Sequence, residues 1–278
     1  GKAILTSHID HKDRTRQNIG YWGEKENCMP VDGGHSSLPK WLQRSPKHNQ
    51  LASNRGTTLH ILGFSATKDW EELLIASVLE NFFAAVWKGQ LTVKVGDQLI
   101  AKETIKKAFT RPGLLPALEG LKGEPDAFHH ARQYLEVLTE IEEVQVEDQE
   151  NRELGNCEVR IHVGENLPKR VAVLRNGMFI TDQMDHLKRF GDYKEFTAVV
   201  ECLSAKGNEL LRDMEPPRHD DFEPERLPTA DQAKGQRALV ELGRWVRDML
   251  KRHAQDPVGE VSEVRELADY FSDDSADG

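Results

Sequence analysis

Three pieces decide the predicted fold: Arg55-Gly-Thr-Thr-Leu-His-Ile-Leu-Gly-Phe64, a long amphipathic segment after it, and then Leu91-Thr-Val-Lys-Val95. Residues 58–62 are a β-branched and apolar run closed by a glycine, which predicts a buried strand. Asp69 is a candidate N-cap and Gly89 a candidate C′ residue, with apolar side chains at three- and four-residue steps between them. Strand, long helix and strand predict an α/β core unit.

Composition places the chain among ordinary globular proteins. It has 278 residues, of which 38% are hydrophobic and 30% are charged. This length allows one large domain or two ordinary ones, each with its own core. No run approaches the ~18 apolar residues that a membrane span needs, so we expect no membrane contact and a cytoplasmic location. The chain opens without Met on the strand-like residues 3–5, from which we expect a piece of a longer protein.

The cysteines and the charge exclude some function classes. Cys28, Cys157 and Cys202 are widely spaced and odd in number, which favours unpaired thiols in a reduced compartment over a zinc site. The net charge is 37 minus 47, or −10, which argues against a globally basic nucleic-acid binder. Acid is concentrated in residues 136–153 and 272–277, and base in residues 12–16 and 40–47. A local basic surface can still meet phosphate.

The second half of the chain predicts a sheet. Asn176-Gly177 is its strongest hairpin signal, because this pair readily takes the positive φ angles of a type I′ turn. Candidate strands lie at residues 143–147, 157–163, 170–175, 178–181 and 196–202. Since turn residues separate the first two and the next two strands, we expect a multi-stranded, mostly antiparallel sheet.

Pro and Gly recur over residues 112–125, which marks a candidate domain boundary. Residues 210–222 are predicted as a compact loop around Pro216-Pro217, and residues 230–253 keep helical spacing. We therefore predict an α+β protein with domains over 1–110 and 111–228, a C-terminal helical segment over 229–271 and a disordered acidic tail over 272–278.

Few residues carry a chemical signal. Gly56-Thr57 would let the backbone approach a ligand closely, although Gly-Thr before a strand is also an ordinary turn. Arg175, beside the Asn176-Gly177 turn, either presents a functional cation at a hairpin tip or is a plain exposed arginine. His219-Asp220-Asp221 has the residue types of a metal site, but the neighbouring prolines favour a salt-bridged loop, and we expect no metal site. The chain contains no G-x-x-x-x-G-K-[ST], G-x-G-x-x-G, G-x-S-x-G or H-E-x-x-H motif.

Taken in order, these features resemble the GHKL ATPases, and most of all the bacterial MORC-like, or paraMORC, proteins encoded near restriction and defence genes. Residues 55–63 are similar to the last ATP-site motif of that fold, and the long helix with the 91–95 strand fits as well. Residues 196–202 lead into Met214-Glu-Pro-Pro-Arg-His-Asp-Asp-Phe222, which is similar to the Pro-x-His-Asn-x-x-Asp-Phe stretch after the transducer sheet of MORC proteins. The resemblance covers roughly residues 1–225.

The resemblance implies that residues 1–110 are the C-terminal part of a Bergerat-type ATPase sandwich and residues 111–228 a transducer-like domain, followed by a C-terminal helix. Gly56 and Thr57 would contact ATP. The family's transducer extends one basic residue to the γ-phosphate, and by order in the chain this is Arg175, with Lys169 and Lys188 as rivals.

The family's catalytic Glu, Mg²⁺-binding Asn, Asp-x-Gly-x-Gly turn and Gly-rich lid do not occur in this sequence. The resemblance implies that they lie upstream of Gly1. ATP and Mg²⁺ would then be cofactors of the full-length protein, and this piece would bind neither and would not hydrolyse ATP alone.

The function that the resemblance implies is an ATP-dependent switch that closes a homodimer around or against nucleic acid, in bacterial defence or restriction. An alternative class is an interaction module, in which the acidic block, the basic 40–47 loop and the C-terminal helix dock a partner enzyme without nucleotide. A third hypothesis is a hydrolase or nuclease that uses His219, Asp220 and Asp221.

Overall fold

A computed structural model describes residues 2–4, 7–16, 19–21, 61, 64–121, 125–139 and 142–255. The chain divides into two compact units, Gly1–Ser65 and Ala66–Gly278. Gly56, Thr57 and all of the predicted strand over 58–62 except Ile61 lie outside the described residues, as do the 40–47 segment and the acidic tail. Ile61 itself is exposed rather than buried.

The first unit contains two short antiparallel strand pairs. Strand β1 (Lys2–Ile4) pairs with β4 (Ile19–Tyr21), and β2 (His8–Ile9) pairs with β3 (Thr15–Arg16). In the turn between β2 and β3, the Asp10 carboxylate accepts hydrogen bonds from the backbone N–H of Lys12 and of Arg14, at 2.9 and 3.1 Å.

The second unit begins with helix α1, which spans Trp70–Trp87 as the apolar spacing predicts. Glu71 and Glu72 lie in the first turn, where carboxylates interact favourably with the helix dipole. Gly89 follows the C-cap residue Lys88 with a φ of +70°. The predicted N-cap at Asp69 and the predicted C′ glycine at Gly89 are therefore confirmed, although the Asp69 side chain makes no capping hydrogen bond.

A hairpin and three helices follow. Strands β5 (Val93–Val95) and β6 (Gln98–Ile100) are joined by the Gly96-Asp97 turn, and helices α2 (Ile105–Phe109), α3 (Leu114–Gly120) and α4 (Asp126–Thr139) come next. Helix α3 was not expected, since the sequence predicts a breaker-rich bridge here. Pro116 is tolerated because it lies in the first helical turn, where its missing N–H has no intrahelical acceptor.

The predicted sheet is confirmed. Its strands are β7 (Val144–Asn151), β8 (Gly155–Val163), β9 (Arg170–Arg175), β10 (Met178–Thr181) and β11 (Phe196–Cys202). Their spatial order is β10-β9-β11-β8-β7, and only the β9–β11 pair is parallel within this sheet. The described structure therefore belongs to the mixed α+β class that the sequence predicts.

Helices cover both faces of the sheet, so each face has its own hydrophobic core. On one face, Ala172, Leu174 and Val199 pack with residues of α1 to α4. On the other face, alternate residues such as Val171, Val173 and Val200 pack with the two C-terminal helices. Because α1 and the sheet share a core within one compact unit, the boundary predicted near residue 110 lies inside that unit.

The two C-terminal helices are α5 (Ala205–Met214) and α6 (Thr229–Ala254). The sequence predicts α6 but places residues 210–214 in a loop. Ser204 caps α5 by accepting a hydrogen bond from the Gly207 N–H at 2.9 Å, and Leu211 and Met214 are buried on its inner face. In the described part of the chain, no helix combines the length and apolar character needed to cross a membrane.

Candidate functional site

The Asn176-Gly177 turn joins β9 to β10 as a two-residue hairpin. Asn176 and Gly177 have φ angles of +49° and +77°, and Arg175 pairs with Met178 across the strands. Positive φ at both central residues is the signature of the predicted type I′ turn. Tight hairpins usually project into solvent, but this one is packed between two helices.

On one side the turn docks on α1. The Ala85 N–H, within this helix, donates a hydrogen bond to the Gly177 carbonyl oxygen at 2.9 Å. A Cβ atom on Gly177 would lie 2.8 Å from the Ala85 Cα and N atoms. Glycine is therefore needed here for the backbone conformation and for the close approach to the helix.

On the other side the turn docks on α5. The Asn176 N–H donates to the Asn208 Oδ1 atom at 3.0 Å. The buried Asn208 side chain donates in turn to the carbonyl oxygens of Cys202 and Ser204, at 2.7 and 2.9 Å. The Asn176-Gly177 turn, Ala85 and Asn208 together form what we call the hairpin clamp, which connects the helices on the two faces of the sheet.

Arg175 forms an ion pair on the α5 side of the clamp. Its guanidinium donates to both carboxylate oxygens of Glu215, the Nη2–Oε2 distance being 3.0 Å. Only 13% of the Arg175 side chain and 0% of the Glu215 side chain is exposed. The His219 Nδ1 atom lies 2.6 Å from Glu215 Oε2. The structure thus places Arg175, the cation that the resemblance assigns to the γ-phosphate, against a buried carboxylate of residues 214–222, one of the stretches on which the resemblance rests.

A second ion pair lies on the α1 side. The Lys88 Nζ atom is 2.6 Å from a carboxylate oxygen of Glu201, whose side chain is only 7% exposed. Glu201 is opposite Leu174 in the parallel β9–β11 pairing, one position from Arg175. Two acid–base pairs therefore flank the hairpin clamp, one on each face of the sheet.

The rival cations lie near the start of β9, away from the clamp. Lys169, directly before the strand, donates through its Nζ to the Gly191 carbonyl oxygen at 3.2 Å. Lys188 pairs with the exposed Asp185 at 3.0 Å. Arg175 is thus the only one of the three predicted cations at the turn.

The His219-Asp220-Asp221 cluster does not converge on one point. His219 contacts Glu215, Asp220 pairs with Arg218 at 2.9 Å, and Asp221 accepts a hydrogen bond from the Phe222 N–H at 2.8 Å. Within the described ranges, no group of three or more His, Cys, Asp or Glu side chains is arranged to hold a metal ion. These separate contacts are those of the salt-bridged loop that the sequence favours.

A cavity of about 300 Å³ near the start of β9 was missed by the sequence reasoning. Helices α1 and α4 line it with Glu80, His130 and Tyr134, and the sheet side contributes Arg170 and Asp182. The Asp182 Oδ2 atom accepts from the Tyr134 hydroxyl at 2.8 Å and from the Arg170 guanidinium at 3.0 Å. The five residues come from four separate segments, so no local motif could reveal the site.

Several groups in this cavity titrate away from their usual range. Burial raises the pKa of Glu80. Burial and the Arg170 charge lower the pKa of His130. Burial and the neighbouring Asp182 raise the pKa of Tyr134, which keeps its phenol protonated as a donor. Shifted groups around a cavity are typical of binding sites and also of structural charge networks.

In comparisons with protein-family models, with curated proteins and with solved structures, nothing matches this chain. The candidate site therefore rests on its own geometry.

Proposed function

We propose that this chain is the transducer-like part of an ATP-dependent conformational switch of the GHKL type, which closes a homodimer on nucleic acid when Mg²⁺ and ATP bind. The observation that supports the proposal best is the position of the hairpin clamp between α1 and α5. Helix α1 follows Gly56-Thr57, the candidate nucleotide contact, in the chain. A shift of α1 would move the turn through the Ala85–Gly177 hydrogen bond and would reach α5 through Asn208.

In this proposal Arg175 is the switchable charge. Its guanidinium is held by Glu215, and a phosphate carrying more negative charge would compete for the same planar fork of donors. Release of Glu215 would leave a buried carboxylate with His219 as its only side-chain partner among the described residues, which is unfavourable. The segment after α5 would then have to rearrange, and this movement is the signal that the switch transmits.

Two variants of the complete gene product test this scheme in opposite directions. Arg175→Ala removes the phosphate contact, so ATP turnover and nucleotide-dependent dimerisation should fall at least tenfold. Glu215→Gln removes the competitor and frees Arg175, so dimerisation should occur at lower ATP concentration. Both variants lose the same ion pair, so a purely structural role would change the two readouts in the same direction.

Arg212→Ala is the matched control, because this exposed α5 arginine pairs only with the exposed Glu209 and Asp213 in the described structure. It should leave turnover unchanged. Calorimetry that detects no Mg²⁺-dependent ATP binding by the complete gene product would overturn the proposal.

A second candidate function, a protein-interaction module, is favoured by an open groove of about 520 Å³ along α6 and β7. Val240, Trp245 and Met249 give it an apolar floor, and Arg152, Glu153 and Asp248 are among its charged lining residues. Size-exclusion chromatography with and without a non-hydrolysable ATP analogue separates the two functions, because only the switch should dimerise on nucleotide.

A further inference from the structure

Cys157 and Cys202 lie directly opposite each other on the antiparallel strands β8 and β11. Both are free thiols and both are buried. The Leu203 N–H donates to the Asn156 carbonyl oxygen at 2.8 Å, so the adjacent residue pair is a hydrogen-bonded one. Since hydrogen-bonded and non-hydrogen-bonded pairs alternate, Cys157 and Cys202 form a non-hydrogen-bonded pair, for which the Cα atoms are about 4.5 Å apart.

That separation is within the range of about 4.4–6.8 Å between Cα atoms that a disulfide bond accepts. Both side chains belong to the same hydrophobic cluster, so they lie on one face of the sheet. The sequence separates these residues widely and gives no sign that they are neighbours. The strand register alone brings them together.

The two thiols also differ in acidity and in exposure, so that one can be oxidised before the other. As a thiol, Cys202 lies with its Sγ 3.3 Å from the Leu154 carbonyl oxygen. When Cys202 loses its proton, the neighbouring Cys157 thiol stabilises the thiolate as a hydrogen-bond donor, which lowers the pKa of Cys202. The same interaction raises the pKa of Cys157. Cys202 is 7% exposed and Cys157 is 0% exposed, so a small oxidant meets Cys202 first.

We propose that Cys157 and Cys202 are a redox-active pair that a peroxide converts to a cross-strand disulfide. The Cys202 thiolate attacks hydrogen peroxide, the O–O bond breaks, and Cys202 becomes a sulfenic acid while hydroxide leaves. The Cys157 sulfur then attacks the Cys202 sulfur, the S–O bond breaks, and the hydroxyl group leaves as water with the Cys157 proton. The peroxide is reduced by two electrons and the two thiols are oxidised.

The disulfide would form where β11 passes into α5. Ser204 caps this helix. The Asn208 side chain, which accepts a hydrogen bond from the Asn176 N–H, also donates one to the Cys202 carbonyl oxygen. Oxidation would therefore fix the strand end beside the hairpin clamp. Formation of this disulfide needs only the strand register and the chemistry of the two thiols, whether or not the chain takes part in an ATP-dependent switch.

The test uses the folded 278-residue chain with Cys28→Ser, so that only the pair carries thiols. After hydrogen peroxide treatment, intact mass spectrometry should show the loss of two hydrogen atoms, and peptide mapping should link the Cys157 and Cys202 peptides. Alkylation under denaturing conditions should find no free thiol until a dithiol reductant is added. Two free thiols after peroxide treatment would overturn the proposal, as would oxidation to sulfinic acid without a cross-link.

Two single variants check the order of the steps. In Cys157→Ser, Cys202 should stop at the sulfenic acid, which a cyclic diketone probe traps. In Cys202→Ser, Cys157 should remain unoxidised under the same treatment. Trapping at Cys157 instead of Cys202 would contradict the assigned roles, and circular dichroism establishes that each variant is folded before it is treated.

Discussion

Strand β9 begins and ends with an arginine, and its two ends differ in how those arginines are paired. At the end, Arg175 and Glu215 are 13% and 0% exposed, beside a turn that is held by helices on both sides. At the beginning, Arg170 and Asp182 are 35% and 14% exposed and border a cavity. The same kind of ion pair is therefore buried beside a docked turn at the end of β9 and partly exposed beside a cavity at its beginning.

Burial, more than residue type, therefore determines how much it costs an ion pair to lose or exchange a partner. A buried pair contributes little net stability when intact, but the loss of one partner leaves an uncompensated charge away from water. A pair that borders solvent can exchange partners at low cost, because water replaces the lost contact. The proposed switch needs the first kind of pair, and a ligand or proton site needs the second.

The largest expected effect on stability comes from the buried ion pair at the end of β9. Glu215→Gln leaves the Arg175 guanidinium without its counter-ion, and the free energy of unfolding should fall by about 3–5 kcal/mol. Asp182→Asn is the matched change at the open end and should cost about 1 kcal/mol, because water reaches Arg170. Urea denaturation of both variants measures the free energy of unfolding, and equal losses would show that the two ion pairs do not differ in the way their burial indicates.

The next effect concerns the turn itself. Gly177→Ala places a methyl group against Ala85 at a φ of +77°, so unfolding should become easier by about 2 kcal/mol. Gly89→Ala is the control, because it has a similar φ of +70° but its nearest contact is the Lys102 Cδ atom at 3.9 Å. It should cost about 1 kcal/mol from backbone strain alone. Thermal unfolding that ranks the two variants in the reverse order would show that the turn is not tightly docked.

The smallest effect is a pH dependence at the open end. Burial raises the pKa of Glu80 above 4.5 in the folded state, so the fold loses stability as the pH rises through the interval between 4.5 and the raised value. Glu80→Gln removes that loss, and the variant should be more stable than the natural protein at neutral pH.

The advantage of Glu80→Gln should disappear below pH 4.5, where Glu80 is protonated in both the folded and unfolded states. Urea titrations at acidic and neutral pH measure the difference between variant and natural protein. A difference between Glu80→Gln and the natural protein that stays constant over this pH range would mean that the side chain is better hydrated than its position indicates.

Much of the fold can be predicted from local sequence. Helices α1 and α6, the hairpin turn at Gly177 and the strand over 196–202 all follow from periodicity and turn chemistry, which act between near neighbours in the chain. Helix α3 and the last turns of α5 could not be predicted this way. Prolines in and after them are typical of loops, and only burial of residues such as Leu114 and Met214 offsets that preference.

The candidate site was predictable in part. The sequence pointed to Arg175 and to the 214–222 stretch separately, but it indicated an exposed cation at a hairpin tip. The structure instead places this cation against a buried carboxylate. Glu215 gave no signal of its own because a glutamate before two prolines is normally solvated.

By itself, the sequence determined the α+β class, the positions of the main helices and hairpins, and the glycine-dependent turns, because these depend on contacts within a few residues. Only the tertiary structure decided which distant residues meet: Arg175 with Glu215, Cys157 with Cys202, and Glu80 with the cavity at the start of β9. These contacts between distant residues depend on strand register and on which sheet face a helix covers. Both are set by the burial of whole surfaces, which no short stretch of sequence encodes.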